Sequence, residues 1–217
     1  MKRVILAFVL VCVAGSFCAA VRGRRKPAHQ SQATFDYYLL ALSWAPNYCA
    51  EHPNDKSAEC RPGNHAAFVL HGLWPQSNHG KPPMNCAPAR PVSSAIVRHM
   101  LQYFPSKGLI QHEWEKHGTC SGLSAADYFA RAEQAFEQVK LPDQYKNLSR
   151  DQMLAVGDIE ENFAAGNHAP SDAFRVSCHN KDLVGVEVCL TRDLKYRSCG
   201  ETARECGVTP VLVRAPR

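Results

Sequence analysis

Eight cysteines downstream of an export signal constrain this chain more than any other feature. Lys2 and Arg3 precede an apolar stretch from Val4 to Ala14. Gly15-Ser16-Phe17-Cys18-Ala19-Ala20 then supplies small residues suited to cleavage after Ala20, the layout of a secretory signal. Cys12 and Cys18 leave with that signal, and Cys49, Cys60, Cys86, Cys120, Cys178, Cys189, Cys199 and Cys206 remain. An even set in an exported chain points to a disulfide framework of four bridges, although eight cysteines allow roughly a hundred pairings and spacing alone does not choose among them. Zinc is the competing use, but no C-x-x-C spacing occurs. The apolar run is too short to span a bilayer comfortably, and no later stretch reaches about 18 apolar residues. The expectation is a secreted or periplasmic protein with no membrane attachment once the signal is removed. Residues 21–33, basic and polar, read as a flexible lead-in, and residues 34–217 as one domain.

Losing Lys2 and Arg3 takes the formal charge from +5 to +3 with histidines neutral. That balance permits an anionic ligand without demanding one, and the histidines would add to it in acid. Just under 200 residues remain, enough for a single domain with a sizeable core. Phe35 to Trp44 is aromatic and aliphatic and predicts a buried strand. Asn47 to Gly63, with Pro53, Asn54, Pro62 and Gly63, predicts a loop carrying two cysteines of its own. Ala66 to Leu70 predicts a second strand that leaves His71 at its end, and proline-rich Ser77 to Pro91 an irregular crossing. Helices follow: Ala95 to Tyr103 capped by Ser93 or Ser94, Gln111 to His117 ending at Gly118, and Ser124 opening a long amphipathic helix to about Val139. Ser149 begins a further helical region, and Ile159 to Ala165 forms the last helix. Strands return at Phe174 to Cys178, Leu183 to Leu190 and Val208 to Val213. Strands at both ends with helices between them predict an α+β domain built on a central antiparallel sheet flanked by helices.

Two segments carry the chemistry: Phe68-Val69-Leu70-His71-Gly72-Leu73-Trp74-Pro75, and His112-Glu113-Trp114-Glu115-Lys116-His117-Gly118-Thr119-Cys120. On a helix, Glu113 and His117 share a face, as do His112 and Lys116. The zinc-protease signature needs histidines four apart. His112 and His117 are five apart and diverge by about 140° on a 3.6-residue helix, so a metallohydrolase fails on spacing and no metal is expected. One imidazole can take a proton while another gives one, because a histidine pKa near 6.5 lets both forms coexist in mild acid. A lysine beside them can stabilise charge on phosphate oxygens. RNA fits this set best, since its 2′-hydroxyl is a nucleophile already held beside the phosphorus.

These segments, together with Phe35-Asp36-Tyr37-Tyr38-Leu39-Leu40-Ala41-Leu42-Ser43-Trp44-Ala45-Pro46 and Gln76, resemble the ribonuclease T2 family of secreted acid endoribonucleases, over about Phe35 to Cys206. The resemblance implies a ribonuclease T2-like fold and metal-independent cleavage of single-stranded RNA through a 2′,3′-cyclic phosphate to 3′-phosphate products, with no cofactor. It implies that His117 is the base acting on the 2′-hydroxyl and His71 the acid protonating the leaving 5′-oxygen. Glu113 and Lys116 would stabilise the pentacoordinate phosphorus, His112 would contact phosphate, and Trp74 would shape or stack against a nucleobase. It further implies disulfides Cys49–Cys60, Cys86–Cys120, Cys178–Cys206 and Cys189–Cys199. RNA is then the expected partner and a monomer the expected state. The competing reading is a disulfide-stapled secreted recognition protein that keeps the fold and works without cleavage. Asn147-Leu148-Ser149 is a glycosylation sequon that matters only in a eukaryotic host.

Overall fold

The computed structural model describes residues 35–200, 206, 207 and 209–217; the signal and the lead-in lie outside the described residues. Among the described residues six strands make one sheet: β1 (Tyr37–Trp44), β2 (Phe68–Gln76), β3 (Gln152–Leu154), β4 (Phe174–His179), β5 (Asp182–Thr191) and β6 (Val211–Val213). Their order is β2-β1-β5-β6-β3, with β4 also paired to β5. Pairing is antiparallel apart from a single parallel contact between Asp182 and Leu212. The helices are α1 (Ala45–Glu51), α2 (Ser94–Met100), α3 (Lys107–Lys116), α4 (Ala125–Gln138), α5 (Asp143–Lys146) and α6 (Val156–Asn167). This is the α+β sheet-and-helix arrangement expected from the pattern of segments, and no helix among the described residues is long and apolar enough to cross a membrane.

Alternation along β1 sends Tyr38, Leu40, Leu42 and Trp44 into the core, where they meet Met100 of α2, Tyr128, Phe129 and Ala132 of α4, and Ile159 and Phe163 of α6. Trp44, Phe68, Tyr145 and Phe163 form an aromatic nest, with Trp44–Phe68 centroids 4.7 Å apart and Phe68–Phe163 5.2 Å. Such pairs contribute about 0.5–1.5 kcal/mol each beyond their area. The helix starts follow side-chain caps: Ser93 accepts from Ile96 N–H, Ser106 from Leu109 N–H and Ser124 from Asp127 N–H.

Four local readings are corrected. Asn47 does not open a loop: Pro46 sits in the first turn of α1, where its missing N–H costs nothing. Asn47 itself is 2% exposed, donates to Leu183 O and Leu212 O, and accepts from Arg214 N–H. That clamp joins α1 to β5 and to the C-terminal segment. His71 does not end a strand: β2 continues to Gln76 through Pro75, which is tolerated because β2 is the sheet's edge. Helix α3 starts four residues earlier than Gln111, at Lys107, because Ser106 caps it just after Pro105. Finally, Gln152–Leu154 is a three-residue strand held by β6, and the helical turn of that region is α5, whose Tyr145 is 1% exposed. Both are too short for periodicity to report.

Disulfides join Cys49 to Cys60, Cys86 to Cys120, Cys178 to Cys206 and Cys189 to Cys199. Around the second bridge, Asn85 N–H donates to Lys116 O at 2.8 Å and Cys86 N–H to Thr119 Oγ1 at 3.2 Å. The loop after β2 is therefore fastened to the end of α3 by one covalent and two polar ties.

Candidate active site

A β-bulge creates the site. In the β1–β2 ladder Ala41 pairs with Gly72 and Leu42 with Leu70, so His71 is the extra residue opposite no partner. His71 and Trp74 are three apart and would point to opposite faces of a regular strand. The bulge absorbs the odd residue, and the two rings meet edge-to-face with centroids 5.6 Å apart. Ser43 of β1, opposite Val69, reaches the same face and its Oγ lies 2.9 Å from His71 Nδ1.

Helix α3 brings the second half. Glu113 is 1% exposed, and the Trp74 indole N–H donates to its Oε2 at 2.7 Å. Its Oε1 lies 3.7 Å from His71 Nε2, too long for a direct hydrogen bond. Gly72 makes room for this carboxyl: a Cβ there would overlap Glu113 Oε2 and lie 2.6 Å from Trp74 Nε1. His117 caps the C-terminus of α3, with its N–H donating to Glu113 O at 3.1 Å. Its ring is stacked on Trp74 at 5.0 Å between centroids and 22° between planes. Trp74 thus touches His71, Glu113 and His117 at once. Lys116 is half-buried and His112 exposed, and their positive charge acts on both site imidazoles.

The environment separates the three titratable groups. Burial holds the His117 imidazole down at about 3, with Lys116, His112 and His71 adding positive neighbours. His117 Nδ1 is buried without a hydrogen-bond partner among the described residues. Withdrawal from water lowers His71 to about 4, with His112 and Lys116 acting in the same direction; water still reaches 39% of its side chain, which tempers the shift. Burial pushes Glu113 up to about 8, against the Trp74 hydrogen bond and the Lys116 charge that favour the carboxylate. The resting site therefore holds two neutral imidazoles and a neutral carboxyl around one indole in mild acid.

The raised Glu113 pKa has a measurable consequence. Between about 4.5 and about 8 the folded protein keeps a proton on Glu113 that the unfolded chain has released. Stability from this group is complete below that window and is lost as pH rises through it. Glu113→Gln keeps an oxygen for the Trp74 N–H and removes the titration. Its melting temperature is expected to rise relative to the parent protein from pH 4.5 to 8 and to hold a constant difference above; a difference that does not change with pH would contradict a protonated Glu113.

Two contributors escaped the sequence reading. Gly72 was visible only as part of a motif, and its need follows from where the Glu113 carboxyl lands. Ser43 carried one signal, a lone aliphatic hydroxyl in the otherwise apolar and aromatic run of β1. A cavity of about 790 Å³ has His71 in its wall together with Ser43, Tyr48, Glu59, Leu101 and Leu109, while Trp74, Glu113 and His117 do not line it.

Known proteins share this arrangement of chain. The profile described as "Ribonuclease T2 family" matches residues 35–199. A ribonuclease of Aeromonas hydrophila is 40% identical over 128 residues, 59% of this chain and 54% of that protein, so the match spans about half that relative's length. Ribonuclease 3 of Arabidopsis thaliana is 30% identical over 192 residues, 76% of this chain and 83% of its own. Among solved structures, RNase NT in complex with 5′-AMP superposes with a TM-score of 0.65 at 22% identity, covering 82% of this chain and 97% of that one; at that identity the likeness speaks for the fold. The profile match across most of the chain, carried on this sheet with these four bridges, places the protein in the ribonuclease T2 family.

Proposed function

We propose that the protein is an endoribonuclease that cleaves single-stranded RNA by acid–base transesterification, without a metal or cofactor. The observation that carries this reading is the pair of imidazoles, His71 and His117, that both pack on the Trp74 indole, whose N–H in turn holds the Glu113 carboxyl. His117, kept neutral by burial, takes the proton of the 2′-hydroxyl. The 2′-oxygen bonds to phosphorus, the bond from phosphorus to the 5′-oxygen breaks, and His71 gives that oxygen a proton. Withdrawal from water is the main cause that holds His71 neutral, with the positive field of His112 and Lys116 adding to it; a bound phosphodiester cancels that field and sets its own negative charge beside the ring, both of which favour the proton His71 must donate. Glu113, protonated, donates to a non-bridging oxygen, and Lys116 and His112 offset its growing charge. The 2′,3′-cyclic phosphate is opened to a 3′-phosphate by water with the two histidines exchanging roles. Trp74 holds Glu113 by its N–H and His117 by its face, and this supports a positioning task beside any contact with a base. The departing nucleoside leaves on the His71 side, where the 790 Å³ cavity offers it space.

Ribonuclease relatives and the family profile support this activity. Four disulfides support an oxidising compartment, and hence export. A protein that only bound its target would have no use for two imidazoles gathered with a buried carboxyl around one indole. Digestion of single-stranded RNA at pH 5–7 in EDTA is expected to give cyclic phosphate ends, while the 2′-deoxy strand stays intact. Loss of cleavage on chelation, or equal cutting of the deoxy strand, would overturn the reading.

A further inference from the structure

We infer that Ser43 is a positioning residue that holds His71 for leaving-group protonation. The inference rests on the reading of His71 as the general acid. The contact from Ser43 Oγ to Nδ1, at 2.9 Å, is the only hydrogen bond to the His71 ring among the described residues, since Glu113 Oε1 stands 3.7 Å from Nε2. A ring on a bulge, with 39% of its side chain open to water, is packed on one side by Trp74 and has no second hydrogen bond among the described residues to fix its tilt. Anchoring Nδ1 fixes both the ring plane and the direction of Nε2, the nitrogen left to face the scissile bond.

A hydroxyl suits this task better than the alternatives. It accepts from the Nδ1–H of the imidazolium and goes on accepting after Nε2 has given up its proton, because the neutral ring then keeps its hydrogen on Nδ1; when the ring rests with its proton on Nε2, the hydroxyl turns about its C–O bond and donates to Nδ1. The partner therefore follows the ring through both protonation states. A carboxylate would favour the cation and hinder proton release, and a backbone carbonyl could only accept. Ser43 is also firmly seated. Its backbone pairs with Val69 of β2 and with Gly185 of β5. Gly185 lies so close that a Cβ on it would overlap Leu42 O and stand 3.2 Å from Ser43 Cα.

The test compares two leaving groups on the same ribonucleoside 3′-phosphodiester. One is a nucleoside 5′-oxygen, which needs a proton to depart. The other is 4-nitrophenoxide, which departs as a stable anion. Ser43→Ala is expected to lower kcat on the dinucleotide about tenfold or more, the scale that small misplacement of a reacting group reaches, with KM changed less than kcat. The same variant is expected to cleave the nitrophenyl ester within about threefold of the parent, because little proton transfer to the leaving group is at stake there. A general loss of structure would slow both substrates alike. His71→Ala is run beside it. If His71→Ala spares the nitrophenyl ester and Ser43→Ala slows both substrates equally or neither, the role of Ser43 is refuted and the acid assignment stands. If His71→Ala itself slows both substrates equally, the acid assignment falls and the inference with it.

Discussion

His117→Ala is expected to lower turnover on RNA by about 10²–10⁴-fold, the range that one positioned proton-transfer group supplies, while leaving a folded protein. The reason for survival of the fold lies in how His117 is held. Its cap on α3 is made by the backbone, whose N–H bond to Glu113 O does not need the ring. Removing the ring opens a space beside Trp74, which costs stability. It also removes a buried nitrogen that has no partner among the described residues, and this offsets part of the loss. His71→Ala is expected to match it on natural RNA for the complementary reason, the missing proton donor. Steady-state kinetics with melting curves as a control check both, and retention of more than a tenth of the parent's activity in either variant would refute its assigned role.

Gly72→Ala is expected to damage both the stability of the protein and its reaction. The added methyl would overlap Glu113 Oε2 and crowd Trp74 Nε1 at 2.6 Å and Glu113 Cδ at 2.7 Å. The clash falls on the hydrogen bond that joins the two halves of the site. Neither neighbour can yield cheaply, because Glu113 is buried and the Trp74 ring is stacked on His117. Overpacking of this kind destabilises by about 1–3 kcal/mol, and displacement of the carboxyl by an ångström is expected to cost about 100-fold in kcat. Thermal unfolding and kcat measured on one preparation would show both. An alanine variant with full activity would mean that the reaction does not use the Glu113–Trp74 arrangement.

Much of this was legible because it depends on short-range rules. The unbroken apolar and aromatic run of β1, and serine caps before α2 and α4, report themselves in sequence. The two motifs name the residues that gather around Trp74, and the family resemblance attaches roles to them. What stayed hidden depends on contacts far apart in the chain. The buried role of Asn47 needs carbonyls from Leu183 and Leu212. Strand β3 exists only because β6 lies beside it. The expected strand ends at Leu70, and only the place of β2 on the sheet's edge explains why it runs on through Pro75 to Gln76. The bulge at His71 is the plainest case. Three-residue spacing of His71 and Trp74 contradicts a strand on its face, and the contradiction is resolved by a register shift that sequence does not display.

That register shift also decides what would survive transplantation. A designer who copied the histidine and tryptophan onto an orderly hairpin would find them back to back, separated by the ribbon. The portable unit is larger: the edge ribbon with its supernumerary residue, the neighbouring ribbon that carries the hydroxyl, and the glycine that leaves space for a carboxyl arriving from elsewhere.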